Sequence, residues 1–68
     1  MELGVAKLAR NLEAFRHKRG LSQVDFAEEM KVNKSYVSNL EAGKCNPTLN
    51  SLDRLARILN ISVSDLLK

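Results

Sequence analysis

Apolar side chains recur at intervals of three and four residues along most of the chain. Near the N-terminus the repeating positions are Val5, Leu8, Leu12 and Phe15. This spacing puts all four on one face and predicts a helix over about residues 5–19. Gly20 would end this helix, because a residue without Cβ enters the left-handed conformation freely. The last turn is crowded with basic residues, which suit either the helix dipole or a phosphate partner: Arg16, His17, Lys18 and Arg19.

A second, shorter helix begins at a clear start signal. Ser22 is suited to cap the helix, and Asp25 three residues later completes the pattern of a capping box. Leu21 and Phe26 flank the cap as a hydrophobic staple. The apolar spacing continues, and we expect the core face of this helix to include Val24, Ala27 and Met30.

The third helix repeats these signals but has an unusual outer face. Asn33 is the predicted cap, and Val37 and Leu40 form the buried stripe. The positions left facing outward are Asn33, Lys34, Ser35, Tyr36, Ser38, Asn39 and Ala42. No carboxylate is among them. Amide, hydroxyl and ammonium groups hydrogen-bond base edges and phosphates, so this face indicates DNA binding. The alternative is a polar helix that faces water or a protein partner.

The rest of the chain predicts a loop and two more helices. Residues 43–47 have loop composition, and Thr48 is suited to cap the helix that follows. The core face of that helix is predicted to be Leu52, Leu55, Ala56 and Leu59. Asn60 would end it, and Ser62 with Asp65 would open a last short helix.

Length and composition fit this pattern of five helices. The chain has 68 residues, of which 44% are hydrophobic and 28% charged. We therefore expect residues 1–68 to form one domain, an all-α orthogonal bundle. The net charge of +3 suits a polyanionic partner, although many unrelated small domains carry as much.

Several functional classes are disfavoured by the residue counts. The chain has one cysteine, Cys45, and one histidine, His17, so we expect no metal site, no cofactor and no internal disulfide. No nucleophile with a partner base is visible, which argues against an enzyme. The absence of a disulfide framework, of a membrane-spanning apolar run and of a signal-peptide pattern predicts a cytoplasmic protein. If the chain binds DNA, it would be associated with the nucleoid.

The chain resembles the lambda-repressor-like helix-turn-helix family, the Cro and cI repressor group also called XRE. The resemblance runs from about the first helix to the end of the chain and depends on the joint spacing of many residues. Those residues are Gly20, Ser22, Gln23, Phe26, Ala27, Val32, Val37, Ser38, Glu41, Gly43, Asn46, Pro47, Leu52, Leu55, Ala56, Leu59, Leu66 and Leu67. It implies a bacterial or phage-encoded transcriptional regulator that acts as a homodimer on a near-palindromic operator of double-stranded DNA. The helix over residues 34–42 would lie in the major groove.

The resemblance also implies roles for individual residues. Base contacts would come from Asn33, Lys34, Ser35 and Asn39, with Lys34 suited to guanine and Asn39 to adenine. Contacts to the DNA backbone would come from Gln23, Arg16, Tyr36, Ser38, Lys44 and Asn46. Arg16 would also form a structural ion pair with Glu41.

Two positions depart from the family pattern. Lys31 stands where the family usually has glycine in a left-handed turn, at a cost of roughly 1 kcal/mol or more. Asn60 occupies another usual glycine position, but asparagine tolerates that conformation. Cys45 replaces a basic residue that is often found there. We expect an inert thiol at this position, and a redox switch beside the DNA is the alternative.

The resemblance suggests partners and alternative roles. Candidate apolar contacts for a homodimer are Ile58, Ile61, Val63 and Leu67, although some of these would complete the monomer core. An acidic edge with Glu28 and Glu29 is a candidate contact for RNA polymerase. The same fold also serves as an antitoxin or protein-interaction module, and small members include controllers of restriction–modification systems.

Overall fold

The computed structural model describes residues 2–68, with side chains described from Val5 onward. Within these residues the chain is all-α and contains five helices in the order α1 (Glu2–Lys18), α2 (Gln23–Met30), α3 (Lys34–Glu41), α4 (Leu49–Leu59) and α5 (Val63–Leu67). The predicted all-α bundle is confirmed. α1 begins three residues earlier than the apolar stripe indicated. Met1 lies outside the described residues, and a single domain over 1–68 stays a prediction.

Three of the predicted caps form as side-chain hydrogen bonds. Ser22 Oγ accepts from the backbone N–H of Asp25 at 3.0 Å, and Thr48 Oγ1 accepts from the N–H of Ser51 at 3.2 Å. Ser62 Oγ accepts from the N–H of Asp65 at 3.0 Å. Each bond satisfies an N–H group that has no partner inside its helix, so these side chains define where α2, α4 and α5 begin.

The prediction that Asn33 caps α3 is correct for its position but not for its side chain. Asn33 occupies the capping position with an extended backbone, but its side chain makes no capping hydrogen bond. The N–H of Tyr36, which a capping side chain could have bound, donates instead to the Asn33 carbonyl at 3.0 Å. The exposed Asn33 amide is therefore left available for another partner.

Two helices end at residues in the left-handed conformation, as predicted. Lys31 has φ 61° at the end of α2, and Asn60 has φ 60° at the end of α4. In each case the backbone N–H bonds back to carbonyls of the preceding turn. The conformation costs more at Lys31, because lysine has no short polar side chain to ease the steric conflict of its Cβ.

One core gathers the apolar faces of all five helices. Its buried members are Leu8, Leu12, Phe26, Ala27, Met30, Val37, Leu40, Leu52, Leu55, Leu59 and Leu66. The placement of Val24 in the core is wrong, because its side chain is 48% exposed. Phe26, Ala27 and Met30 define the inner face of α2, and at about 100° per residue Val24 falls beyond its edge.

Candidate nucleic-acid interface

The outer face of α3 brings the predicted base-contact residues together. α2 and α3 pack closely, with Val37 and Leu40 buried on the inner side of α3. The four predicted base-contact residues are all exposed: Asn33, Lys34, Ser35 and Asn39. Ser38 is half-buried between them. At about 100° per residue, Lys34, Ser35 and Asn39 lie within an arc of about 140° on one side of α3, and a major groove is wide enough to admit a helix.

The electrostatic character of this face is positive. α3 has no acidic residue in its first turn, and the exposed ammonium group of Lys34 lies beside the positive end of the helix dipole. The one carboxylate of α3 is Glu41, in the last turn. The net charge of this face therefore depends on whether the Glu41 carboxylate is paired with a cation.

Arg16 neutralises Glu41 in a buried, two-point ion pair. Arg16 Nε lies 2.6 Å from Glu41 Oε2, and Arg16 Nη2 lies 3.0 Å from Oε1. The side chains are only 8% and 6% exposed, and Arg16 Nη1 donates to the Leu21 carbonyl at 2.7 Å. The hydrogen bond with Glu41 raises the pKa of Arg16 above its ordinary value, which keeps the guanidinium charged.

Gln23 joins the same polar cluster. Its Nε2 donates to Glu41 Oε1 at 3.1 Å, so the ends of α1 and α3 and the start of α2 meet at one carboxylate. His17 Nε2 lies 3.1 Å from Arg16 Nη2 at the outer edge of the cluster. The predicted pair of Arg16 and Glu41 is thus brought together. Phosphate contacts from Arg16 and Gln23 stay predictions, and Gln23, which is half-buried, has the more accessible side chain.

Tyr36 is tied to the start of α4. Its hydroxyl donates to Ser51 Oγ at 3.3 Å, and Thr48 Oγ1 lies 3.2 Å from the same Ser51 oxygen. The ring is half-buried and packs against the core. Ser51 was not a predicted site residue. Its position at the third residue of α4, beside a predicted cap, is the signal that could have suggested it.

The loop between α3 and α4 presents its polar side chains to solvent. Lys44 and Asn46 are exposed, whereas Cys45 is half-buried and packs against the core. This alternation follows from the loop lying against the body of the domain. Both predicted phosphate ligands of the loop are therefore accessible, and the thiol between them is turned inward.

A helix-turn-helix family model matches residues 12–66, which includes α2, the turn, α3 and most of the supporting helices. The chain belongs to the Cro/cI-type helix-turn-helix family. In this helix-turn-helix domain the pair α2–α3 is the motif itself, and the cluster of Arg16, Gln23 and Glu41 lies where its two helices meet α1.

Relatives of this helix-turn-helix chain are regulators of transcription and controller proteins. It is 40% identical over 62 residues to the HTH-type transcriptional regulator DdrOP3 of Deinococcus deserti, a match covering 91% of this chain and 48% of that protein. It is 38% identical over 60 residues to Control protein C.SmaI of Serratia marcescens, covering 88% and 71%. The chain thus spans about half the length of the first relative.

A solved structure agrees with this assignment. The restriction-modification controller protein C.AhdI from Aeromonas hydrophila superimposes with a TM-score of 0.86 at 32% identity. The match covers 91% of this helix-turn-helix chain and 94% of that one. The two chains therefore share the same fold.

The predicted dimer residues differ in accessibility. Three of them are half-buried and pack against the core of the helix-turn-helix domain, namely Ile58, Ile61 and Val63. This agrees with the expectation that some of these residues complete the monomer core. Leu67 is 45% exposed at the end of α5. Of the four candidates, Leu67 therefore has the largest accessible apolar surface for a second protomer.

Two further observations concern the described part of the helix-turn-helix chain. Among residues 5–68, whose side chains the structure describes, no cluster of three or more His, Cys, Asp or Glu side chains is placed to hold a metal ion. None of the five described helices combines the length and the apolar character that crossing a membrane requires.

Proposed function

We propose that this helix-turn-helix protein is a sequence-specific regulator of transcription that binds double-stranded DNA as a homodimer, on a near-palindromic operator. The observation that carries the proposal is the outer face of α3, which exposes amide, hydroxyl and ammonium groups while its one carboxylate is neutralised by Arg16. Such a face suits the donors and acceptors of the major groove. The family membership and the regulators among the relatives support it.

The assignment of the base contacts follows accessibility. Asn33, Lys34, Ser35 and Asn39 are exposed and are assigned to base edges. The backbone contacts are assigned to Gln23, Arg16, Tyr36, Ser38, Lys44 and Asn46. Among these, Lys44 and Asn46 are exposed, and the N-terminus of α2 adds N–H groups beside Gln23. A regulator of this kind acts where chromosomal or phage DNA is found, in the cytoplasm and at the nucleoid.

A narrower role is control of a restriction–modification system. Two proteins similar to this chain, C.SmaI and C.AhdI, are named as controller proteins. The role is tested by placing the protein beside a reporter that carries the enriched operator, and by measuring whether expression rises and then falls as the protein accumulates. A flat response would exclude this role without affecting DNA binding.

The acidic edge of α2 offers a second contact. Glu28 and Glu29 are both exposed, and neither has an ion-pair partner among the described side chains. We assign this edge to RNA polymerase. Reversal of both residues to lysine should reduce activation of a promoter while operator affinity stays unchanged. Unchanged promoter output with unchanged DNA affinity would refute the assignment.

The proposed function is tested by selection of duplexes from a randomised library at two salt concentrations. A two-fold symmetric enriched site is the expected result, because two copies of α3 would read two half-sites. Binding that is weak, steeply salt-dependent and without an enriched site would show electrostatic attachment alone. The protein-interaction role, as an antitoxin or adaptor, would then be favoured.

A further inference from the structure

An open groove of about 770 Å³ runs between α1 and the loop that joins α3 to α4. Its walls are small and apolar, and include the buried Ala9 and the half-buried Val5 and Gly43. Polar side chains stand exposed around it: Arg10 from α1, and Lys44 and Asn46 from the loop. The groove therefore combines a close-packed base with a polar, solvent-facing edge.

Gly43 lies where the loop passes close to α1. A Cβ at Gly43 would lie 3.9 Å from Val5 Cγ1 and 4.0 Å from Ala9 Cβ, so the loop backbone passes about one side-chain atom away from contact with α1. The backbone at Gly43 has φ 74°, a conformation that glycine adopts without strain. Arg10 follows Ala9 directly and is exposed, which places it beside the loop that carries Lys44.

The charges around the groove are unbalanced. Three charged side chains line it, namely Arg10, Lys44 and Glu41. Glu41 is already neutralised by Arg16. Among the described side chains, Arg10 and Lys44 have no hydrogen-bond or ion-pair partner. Two cations therefore remain uncompensated at the edge of one groove, which is the condition for attracting an anion.

We propose that Arg10 binds a DNA phosphate beyond the bases that α3 contacts, and that Arg10 and Lys44 together bind the DNA backbone. This rests on the proposed function, because the loop abuts the DNA only if α3 lies in the major groove. A guanidinium group matches the geometry of a phosphate in a two-point contact. The groove adjoins the exposed side chains of Lys44 and Asn46, so the phosphate backbone of one DNA strand can lie along it beside α1.

The test is a salt titration of binding to a mixed-sequence duplex. Each phosphate contact contributes about 0.9 to the slope of log affinity against log salt. Arg10→Ala should therefore reduce the magnitude of that slope by about one, and weaken binding about threefold to tenfold at low salt. Arg10→Lys, which keeps the charge, should retain most of the slope.

Arg57→Ala is the matched control. Arg57 is exposed and its loss removes the same charge, but it lines a different cavity with Glu29 and Lys31. The proposal expects the slope of this variant to equal that of the unchanged protein. Equal slopes for the unchanged protein and Arg10→Ala would overturn the proposal, and so would equal losses in Arg10→Ala and Arg57→Ala. If the unchanged protein bound no duplex, the proposed function itself would fail.

Discussion

The guanidinium of Arg16 and the carboxylate of Glu41 are 25 positions apart in the sequence, yet they meet at 2.6 Å in the interior of the domain. The pair joins the end of α1 to the end of α3 and accepts a third partner in Gln23 from the start of α2. It therefore fixes the angle of α3 relative to its supporting helices. It also removes the one negative charge that α3 would otherwise present to DNA.

The first prediction concerns this pair. Glu41→Gln leaves a buried guanidinium without its counter-charge, and removal of one partner from a buried pair costs about 3 kcal/mol or more. Urea unfolding measures the loss. Asp53→Asn is the control, because its pair with Arg57 at 3.3 Å has side chains that are 57% and 79% exposed. Such surface pairs contribute less than about 1 kcal/mol. Similar losses in the two variants would contradict the structural role of Arg16 and Glu41.

The left-handed conformation of Lys31 gives a second prediction. Lys31→Gly should raise the melting temperature by about 4 °C, because relief of the Cβ conflict exceeds the extra entropy of glycine in the unfolded chain. Asn60→Gly, at φ 60° against 61°, should gain less. Differential scanning calorimetry compares them. Sequence preference on DNA should stay unchanged in both. An unchanged or lowered melting temperature for Lys31→Gly would refute the assignment of strain.

The exposed position of Leu67 leads to a third prediction, on the homodimer. Leu67→Ala should weaken self-association about tenfold, as expected when an accessible apolar anchor is truncated at an interface. Sedimentation equilibrium measures the dissociation constant. Leu49→Ala is the matched control, since Leu49 is also an exposed leucine, at 81%, but is the first residue of α4 and not part of α5. Unchanged association in Leu67→Ala would remove α5 from the dimer surface.

A fourth prediction follows from Asp65. The hydrogen bond from the Lys68 ammonium, followed by those from Ser62, lowers the pKa of Asp65 below its ordinary value. A folded pKa below the unfolded one stabilises the protein above the unfolded pKa of about 3.9, and this stabilisation is lost as the pH falls through the folded pKa. Asp65→Asn should therefore have a lower melting temperature than the unchanged protein at neutral pH. The difference between the two melting temperatures should disappear in acid.

Lys68→Met separates the causes of that shift. It removes the first partner of the Asp65 carboxylate but keeps the hydrogen bonds from Ser62 that also lower its pKa. Its melting temperature should therefore lie between those of Asp65→Asn and the unchanged protein at neutral pH. If the melting temperatures of the three proteins differed by the same amounts at every pH, this account would be contradicted.

Much of the fold is predictable from sequence, because the spacing of apolar residues and the capping hydroxyl groups act within a few positions of each other. The spacing of Leu52, Leu55 and Leu59 determines the inner face of α4, and the hydroxyls of Ser22 and Thr48 determine where helices begin. The exposure of Val24 was missed because its spacing of three residues from Ala27 fits a helical face, whereas the buried face of α2 consists of Phe26, Ala27 and Met30.

The polar contacts between helices were the hardest part of the site to predict. The family resemblance supplied the pair of Arg16 and Glu41, but no local pattern links Tyr36 to Ser51, or the Arg54 guanidinium to the Met30 carbonyl that it binds. These contacts depend on the angles at which helices cross. The free side chain of Asn33 likewise depends on a backbone hydrogen bond that the sequence does not reveal.

The central claim is that the outer face of α3 reads bases, and the selection experiment repeated with variants tests it most directly. Lys34→Ala and Asn39→Ala should each relax preference at one position of each half-site, by about 1–3 kcal/mol, and leave the other positions intact. Lys44→Ala, a predicted phosphate contact, should weaken binding evenly across sequences. Loss of affinity without relaxation at any position in the α3 variants would contradict the claim that this helix specifies the operator.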